Sequence, residues 1–336
     1  MIRKVSPIGL EISGDAFVAA QVERRREGLS LRAGVRLERA GTGTELPTRE
    51  ELERLRGVLE RQGFVGRRVV AAVPDASLMA STLELPPAES GAPVEQIGRA
   101  EFARLHKREP GTFEMSLWPA GAAGRTGQTW MALGCEHAKA EALLAALESA
   151  DLFPVGLDAR AAALARVLFA LNPAESGLAL ATDAGFDGAL TVVLQGGMLA
   201  YQRFTPECGL RGLREAFAKS TGAEAGDSIR AGMETDRRGE NEAAREHADA
   251  LARDLSAAIA YATHRYQAEV TGLRLSGPGA RIPGLSDRLA EAVGVAVSPL
   301  APAGLLVTSE ETGSLGADPA LATAIGLAMY PTELAA

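Results

Sequence analysis

The sequence predicts a mixed α/β chain built as two related lobes, with a smaller α+β unit set into the first, and three observations lead there. Residues 177–204 hold apolar runs at 178–182 and 189–194, parted by Asp183-Ala184-Gly185-Phe186-Asp187-Gly188, then a turn at Gln195-Gly196-Gly197 and a third run reaching Phe204. Short apolar runs bounded by Gly and Asp read as strands joined by tight turns, here a β-meander. The chain opens in the same way, since residues 8–22 carry an apolar run, the turn Glu11-Ile12-Ser13-Gly14-Asp15 and a second run. Glu11 falls on Asp183 and Asp15 on Asp187 at a constant offset of 172, near half the chain length. Third, a late strand at 273–276 runs through Gly277-Pro278-Gly279-Ala280 into a helix.

The remaining elements follow in order. Residues 29–37 continue the first meander, with Arg24-Arg25-Arg26 placed in its hairpin turn, and a Gly/Thr/Pro linker covers 40–48. Residues 50–62 set Leu52, Leu55 and Leu59 at helical spacing, a surface helix packed on the first sheet. A buried strand at 69–73 ends at Pro74-Asp75, and an alternating strand at 77–85 stops at Pro86-Pro87. An amphipathic helix spans 93–108 and is ended by Pro110. Strands at 113–119 and 128–135, a helix at 139–150, a strand at 154–157 and a helix at 159–171 complete the first lobe. Residues 69–135 form the inserted α+β unit. The first lobe is thus 1–172 and the second 173–336. In the second, helices are expected at 210–220 and 224–232, a mixed-charge loop from Asp236, and the longest helix at 245–266, with Leu251, Leu255, Ile259, Ala262 and Tyr266 in one stripe. A helix at 285–292, a strand at 295–297 and an Ala-rich helix at 319–329, expected to pack back on the first lobe, close the chain.

Composition narrows the function. A length of 336 residues buries a sizeable core, and 46% apolar with 23% charged residues is ordinary for a soluble globular protein. A net charge of -8 argues against general nucleic-acid binding, which needs a basic face. Cys135 and Cys208 stand far apart, so neither a disulfide framework nor a thiolate metal site is indicated, and a reducing cytoplasm suits them. No signal-peptide core follows Met1, and no run approaches the roughly 20 apolar residues of a bilayer span. Any membrane role is expected to come through a partner.

An acidic residue and a Gly in the first turn of each lobe suit a nucleotide held between lobes: Gly lets backbone approach phosphate, and a carboxylate can hold a hydrated metal. Two hairpins with ordinary polar turns would look the same. The Gly277/Gly279 turn offers backbone amides to an anion or a flat ring. It is not a dinucleotide fingerprint, because Ile282 takes the third glycine position, nor a P-loop, for want of the Lys-Ser/Thr pair. There is no Gly-x-Ser-x-Gly elbow. His106, His137, His247 and His264 lack metal-ligand spacing and read as surface or capping residues. No catalytic residue is assigned.

The order of these parts resembles the phosphate-1, phosphate-2 and adenosine motifs of the actin/Hsp70/sugar-kinase superfamily, with its bilobal, ribonuclease H-like fold. The finer resemblance is to the PilM/FtsA branch. Val70-Ala-Ala-Val-Pro74, then Thr82-Leu-Glu-Leu-Pro86 and the helix with Glu101 before Pro110, is similar to the inserted 1C subdomain, and Pro319-Ala-Leu-Ala-Thr-Ala-Ile-Gly-Leu-Ala to the terminal helix. The resemblance implies a site for ATP and Mg²⁺ made by Glu11, Ser13, Gly14, Asp15, Asp183, Gly185, Asp227, Arg230, Gly277, Gly279 and Ala280. Glu11 and Asp183 would be on the metal, and Asp227 and Arg230 would stand for a nucleoside-contacting Glu-x-x-Lys.

The chain departs from that pattern. The first turn reads Glu11-Ile12-Ser13-Gly14-Asp15, not Asp-Ile-Gly-Ser/Thr, with Val18 where a basic residue is usual. Asp15 sets a negative charge where phosphate oxygens should lie, which is unfavourable unless a cation intervenes. Phe186, Asp187, Gly188 and Ala189 replace hydroxyl donors in the second turn. The expectation is a weakened nucleotide site on a non-catalytic or poorly catalytic cytoplasmic scaffold. By the resemblance, the inserted unit and first lobe would receive the short tail of a membrane-anchored PilN-like protein, coupling a type IV pilus or type II secretion-like machine to the cytoplasm, and the chain could self-associate. The alternatives are a working ATPase of the same fold and a small-molecule kinase, for which no substrate-side carboxylate stands out.

Overall fold

The computed structural model describes residues 4–26, 28–39, 46–120, 127–171, 177–221, 242–306 and 313–331. The expected helix at 224–232, the Asp236 loop, and Asp227 and Arg230 lie outside the described residues.

Both meanders form, and each grows into a larger sheet. In the first lobe β2 (Ile8–Ile12), β3 (Ala16–Arg25) and β4 (Gly28–Glu38) are antiparallel, and β1 (Lys4–Val5) shares β3 with β2. On the far side of β2, β5 (Arg68–Val73) and then β9 (Phe153–Ala159) run parallel to it. The second lobe repeats the order: β10 (Leu178–Ala184), β11 (Ala189–Gln195) and β12 (Met198–Thr205) are antiparallel, then β13 (Val270–Ser276) and β14 (Ala296–Pro299) join parallel to β10. The matching turns at 13–15 and 185–188 therefore sit at equivalent places in two like sheets.

The insertion is shorter than expected. Arg68–Val73 belongs to the main sheet, paired with β2 and β9, so the separate three-stranded sheet consists of β6 (Leu78–Leu85), β8 (Gln128–Glu136) and β7 (Phe113–Pro119), with β8 central. The reason is legible in Val69–Val73, whose unbroken apolar run is buried throughout, as a parallel strand covered on both faces requires. Helix α2 (Val94–His106) covers this sheet with Phe102 and Val94, and it stops at Lys107 in the left-handed region (φ 53), before Pro110 is reached. Arg24 and Arg25 end β3 and do not form a turn; Arg25 pairs with Glu23.

Helix α1 (Arg49–Arg61) begins at a reciprocal cap, the Thr48 hydroxyl accepting from Glu51 N and the Glu51 carboxylate accepting from Thr48 N. With α3 (His137–Ser149) it covers one face of the first sheet through Leu52, Leu55, Leu59, Leu143 and Leu147. Outside the second sheet lie α6 (Glu242–Tyr266) and α7 (Leu285–Val293); α5 (Leu210–Thr221) flanks them. In the expected stripe of α6, Leu251, Leu255 and Ala262 are buried, and so is His247, which is therefore not a surface residue. Among the described residues no helix is long and apolar enough to cross a membrane.

Between the sheets run α4 (Arg160–Leu171) and the terminal helix α8 (Ala322–Ala328), sharing one core with Val18, Ala20, Val192 and Leu194. Alanine and glycine let them approach backbone to backbone. A Cβ on Gly9 of β2 would stand 2.0 Å from Ala324 O, and one on Gly326 would stand 2.1 Å from Ala163 O. Gly9→Ala is expected to cost about 1–3 kcal/mol in chemical denaturation, the usual range for overpacking. Gly212→Ala, facing open space on α5, should instead add about 0.5–1 kcal/mol through helix propensity.

Candidate functional site

Parallel register decides where the site lies. β10 sets Asp183 beside Ser276 of β13, so the Gly277 turn leaves the sheet next to the Asp183 turn. β5 and β9 end together at Val73 and Ala159, so Asp75 and Arg160 emerge side by side. A cleft of about 300 Å³ opens off these strand ends, the usual ligand position in such sheets.

The two acidic turns meet across it. Gly14 N donates to Asp187 Oδ2 at 2.6 Å, and a Cβ at Gly14 would stand 2.5 Å from Asp187 Oδ1. Ser13 Oγ donates to Asp15 Oδ1 at 2.8 Å, and Arg36 pairs with the other Asp15 oxygen. Arg211 holds Asp187 at 2.5 Å and lies over the Phe186 ring.

At the base of the cleft one guanidinium meets three carboxylates. Arg160 Nε lies 2.9 Å from Glu11 Oε1, its Nη2 lies 3.0 Å from Asp183 Oδ1, and its Nη1 pairs with Asp75. All four side chains are buried. The second Asp183 oxygen accepts from Thr323 Oγ1 at 2.9 Å. Burial lifts the Glu11 carboxyl to about 8, helped by Asp183 and Asp75 and opposed by Arg160. Asp75 is raised for the same leading reason. Burial works against the Arg160 charge, yet Asp75, Glu11 and Asp183 outweigh it and hold its pKa well above the ordinary value.

A second concavity, of about 360 Å³, lies between the inserted sheet and the first lobe. Leu78, Met115, Trp118, Leu133, Leu157 and Ala162 make it apolar. Among the described residues β7 pairs only with β8 and β9 only with β5, so both strands flanking it have an unpaired edge.

No protein-family model matches the sequence, and no curated protein matches it significantly. Among solved structures, the PilM–PilN type IV pilus biogenesis complex aligns with a TM-score of 0.80 at 21% identity, over 96% of this chain and 98% of that one. The chain has the bilobal actin-like fold, in its PilM form. Ethanolamine utilization protein EutJ from Carboxydothermus hydrogenoformans aligns at TM-score 0.56 and 15% identity, over 98% of this chain and 91% of that one.

In this PilM-like frame the expected residues fall into two groups. Glu11, Ser13, Gly14, Asp15, Asp183, Gly185 and Gly277 line the cleft. Gly279 and Ala280 do not: Gly279 is buried with its Cβ position 2.4 Å from Ala184 Cβ, and Ala280 packs toward the second-lobe core. A side chain at Gly279 would meet Ala184 of β10. The cation required beside Asp15 is Arg36, which comes from β4; Val18, at the expected position, lines the cleft without charge.

Glu11 and Asp183, the expected metal ligands, both face Arg160 instead, and as they stand this donor set does not suit a divalent ion. Among the described residues no group of three His, Cys, Asp or Glu is arranged to hold one. Arg160 and Asp75 were not singled out by sequence pattern. One signal existed: a cation at the first position of a helix opposes the macrodipole, so Arg160 requires carboxylates nearby.

The raised Glu11 carboxyl sets a pH dependence. A buried acid whose folded value exceeds its ordinary 4.5 gives stability fully present below 4.5 and lost as pH rises through about 8. Thermal melts between about pH 5 and 8 should fall for the native chain and flatten for Glu11→Gln, the difference approaching at most about 1.4 kcal/mol per pH unit. Parallel curves would mean that Glu11 is ionised when folded.

Proposed function

We propose that the chain is an actin-like scaffold that receives the short cytoplasmic tail of a membrane-anchored, PilN-like protein in the apolar groove between the inserted sheet and the first lobe. The observation that carries this reading is the full-length likeness to PilM in a complex with PilN, together with a groove of suitable chemistry in this chain. An extended tail could add to the free edge of β7 or β9 by main-chain hydrogen bonds, with alternate side chains entering the apolar pocket. Through such a tail the chain would sit beside an inner membrane and tie a pilus or secretion machine to the cytoplasm without a spanning segment of its own.

In this reading the cleft is not a catalytic nucleotide site. Five carboxyl groups and three guanidinium groups line it, and each guanidinium is paired with a carboxylate; even with the Glu11 proton retained, the acids outnumber the cations, so a polyphosphate entering it meets an excess of negative charge. Calorimetry with Mg-ATP at about 1 mM, where a Kd of that size is worth only about −4 kcal/mol, should give no saturable heat. A saturable heat with turnover would favour a working ATPase.

The tail reading is tested with a fluorescent peptide carrying the tail of the PilN-like protein. Binding should saturate, and Ala162→Phe, which fills the groove from α4, should weaken it by about tenfold or more, roughly 1.4 kcal/mol, with the melting temperature held. Absence of binding by the native chain sinks the proposal.

A further inference from the structure

The cleft turns on a residue that no motif predicts. Arg160 directs a different nitrogen to each of three acids, and these come from three places: Glu11 at the end of β2, Asp75 after β5, and Asp183 of β10 in the other lobe. Space is kept for it, since a Cβ on Gly185 would stand 3.1 Å from Arg160 Nη2 and one on Gly277 would stand 2.5 Å from Asp183 Oδ1. Gly277 also holds φ 78, a conformation open chiefly to glycine. The other oxygen of Asp183 accepts from Thr323 Oγ1, whereas Asp183 Oδ1 and Arg160 Nε are buried with ion-pair contacts but without a hydrogen bond among the described residues.

We propose that Arg160 is a built-in cation: its guanidinium stands where a divalent ion would otherwise tie the two acidic turns together, so the protein itself holds the base of the cleft closed. A planar guanidinium suits the task, because its rigid fork presents five donors that three acids can share. An ammonium group is a point charge and cannot span them in the same way. The position at the head of α4 is otherwise unfavourable for a cation, and the three acids offset that cost. The proposal rests on the reading of the cleft as non-catalytic and deepens it: the site is not simply missing a metal but carries a substitute for one.

The test uses the full chain and Mn²⁺ alone, without nucleotide, followed by electron paramagnetic resonance titration and thermal melts. The native chain should bind no Mn²⁺ at the cleft and melt at the same temperature with or without it. Arg160→Met, which leaves the three acids unpaired, should melt lower, bind one Mn²⁺ about tenfold or more tightly than the native chain, and regain stability with the metal. If Arg160→Met does not fold alone, refolding in Mn²⁺ should rescue it, and Arg160→Lys should bind Mn²⁺ more tightly than the native chain. Stoichiometric Mn²⁺ binding by the native chain overturns the proposal. So does a folded Arg160→Met that takes no Mn²⁺, or failure of both the rescue and the Arg160→Lys gain. Neither nucleotide nor peptide is present in these readings, so this proposal fails on Mn²⁺ alone, while the non-catalytic reading of the cleft fails on Mg-ATP calorimetry and the tail reading on peptide binding.

Discussion

Everything in this chain depends on how closely two helices can lie between two sheets. α4 and α8 present Ala161, Ala165, Ala324 and Ala328 to the shared core, and at Gly9 and Gly326 even a methyl group would collide with backbone. Interiors pack at crystal-like density, so a layer this thin leaves little tolerance for larger side chains. It also fixes the distance between lobes, and with it the distance between the turns at 13–15 and 185–188. Gly14 N reaching Asp187 at 2.6 Å is a consequence of that thin layer. Were the helices leucine-faced, the two turns would stand too far apart to share a hydrogen bond.

Thin packing brings acids together, and that has an electrostatic cost. Glu11, Asp75 and Asp183 are buried within reach of one guanidinium, so their charges are only partly cancelled. A buried, uncompensated charge is far more costly than an exposed one, and the cluster responds in the cheapest way available, by holding a proton on Glu11 near neutral pH. Asp15 and Asp187, nearer solvent, are each met by an arginine of their own lobe. The charge pattern of the cleft is therefore self-contained.

Most of the architecture was legible in the sequence because the two meanders, the Pro and Gly stops and the heptad-like leucines are local signals. The offset that paired Glu11 with Asp183 carried the topology of both sheets, since equivalent turns imply equivalent strand order. What could not be read was set by distant pairing. Val69–Val73 looks the same whether it opens a small sheet or fills a large one, and only its partners decide, Ile8 and Pro154 flanking Val69 on either side. Gly279 fits a ligand turn and an inner packing turn equally well, and its closeness to the methyl of Ala184 could not be read from the sequence. Arg160 lies 149 residues from Glu11 in the chain, and no spacing rule joins them. Only its awkward place at a helix start hinted that acids were waiting.

The groove and the cleft are not independent features of the surface. Leu157, Asp158, Ala159 and Ala162 line the groove, while Arg160, between them in the chain, points into the cleft. The junction of β9 and α4 is held by Asp158, which accepts from Ala159 N at 2.8 Å and pairs with Arg166, and Arg166 donates from Nε to Gly326 O at 3.0 Å. The inserted sheet is tied to the second lobe as well, Trp118 Nε1 donating to Leu199 O at 2.7 Å and Arg265 pairing with Glu84. A junction clamped on both sides cannot shift one wall without the other. The same bonds that keep Arg160 aimed at three acids keep the apolar wall of the groove in place, so the rigidity of the cleft and the shape of the groove are one property of residues 157–166.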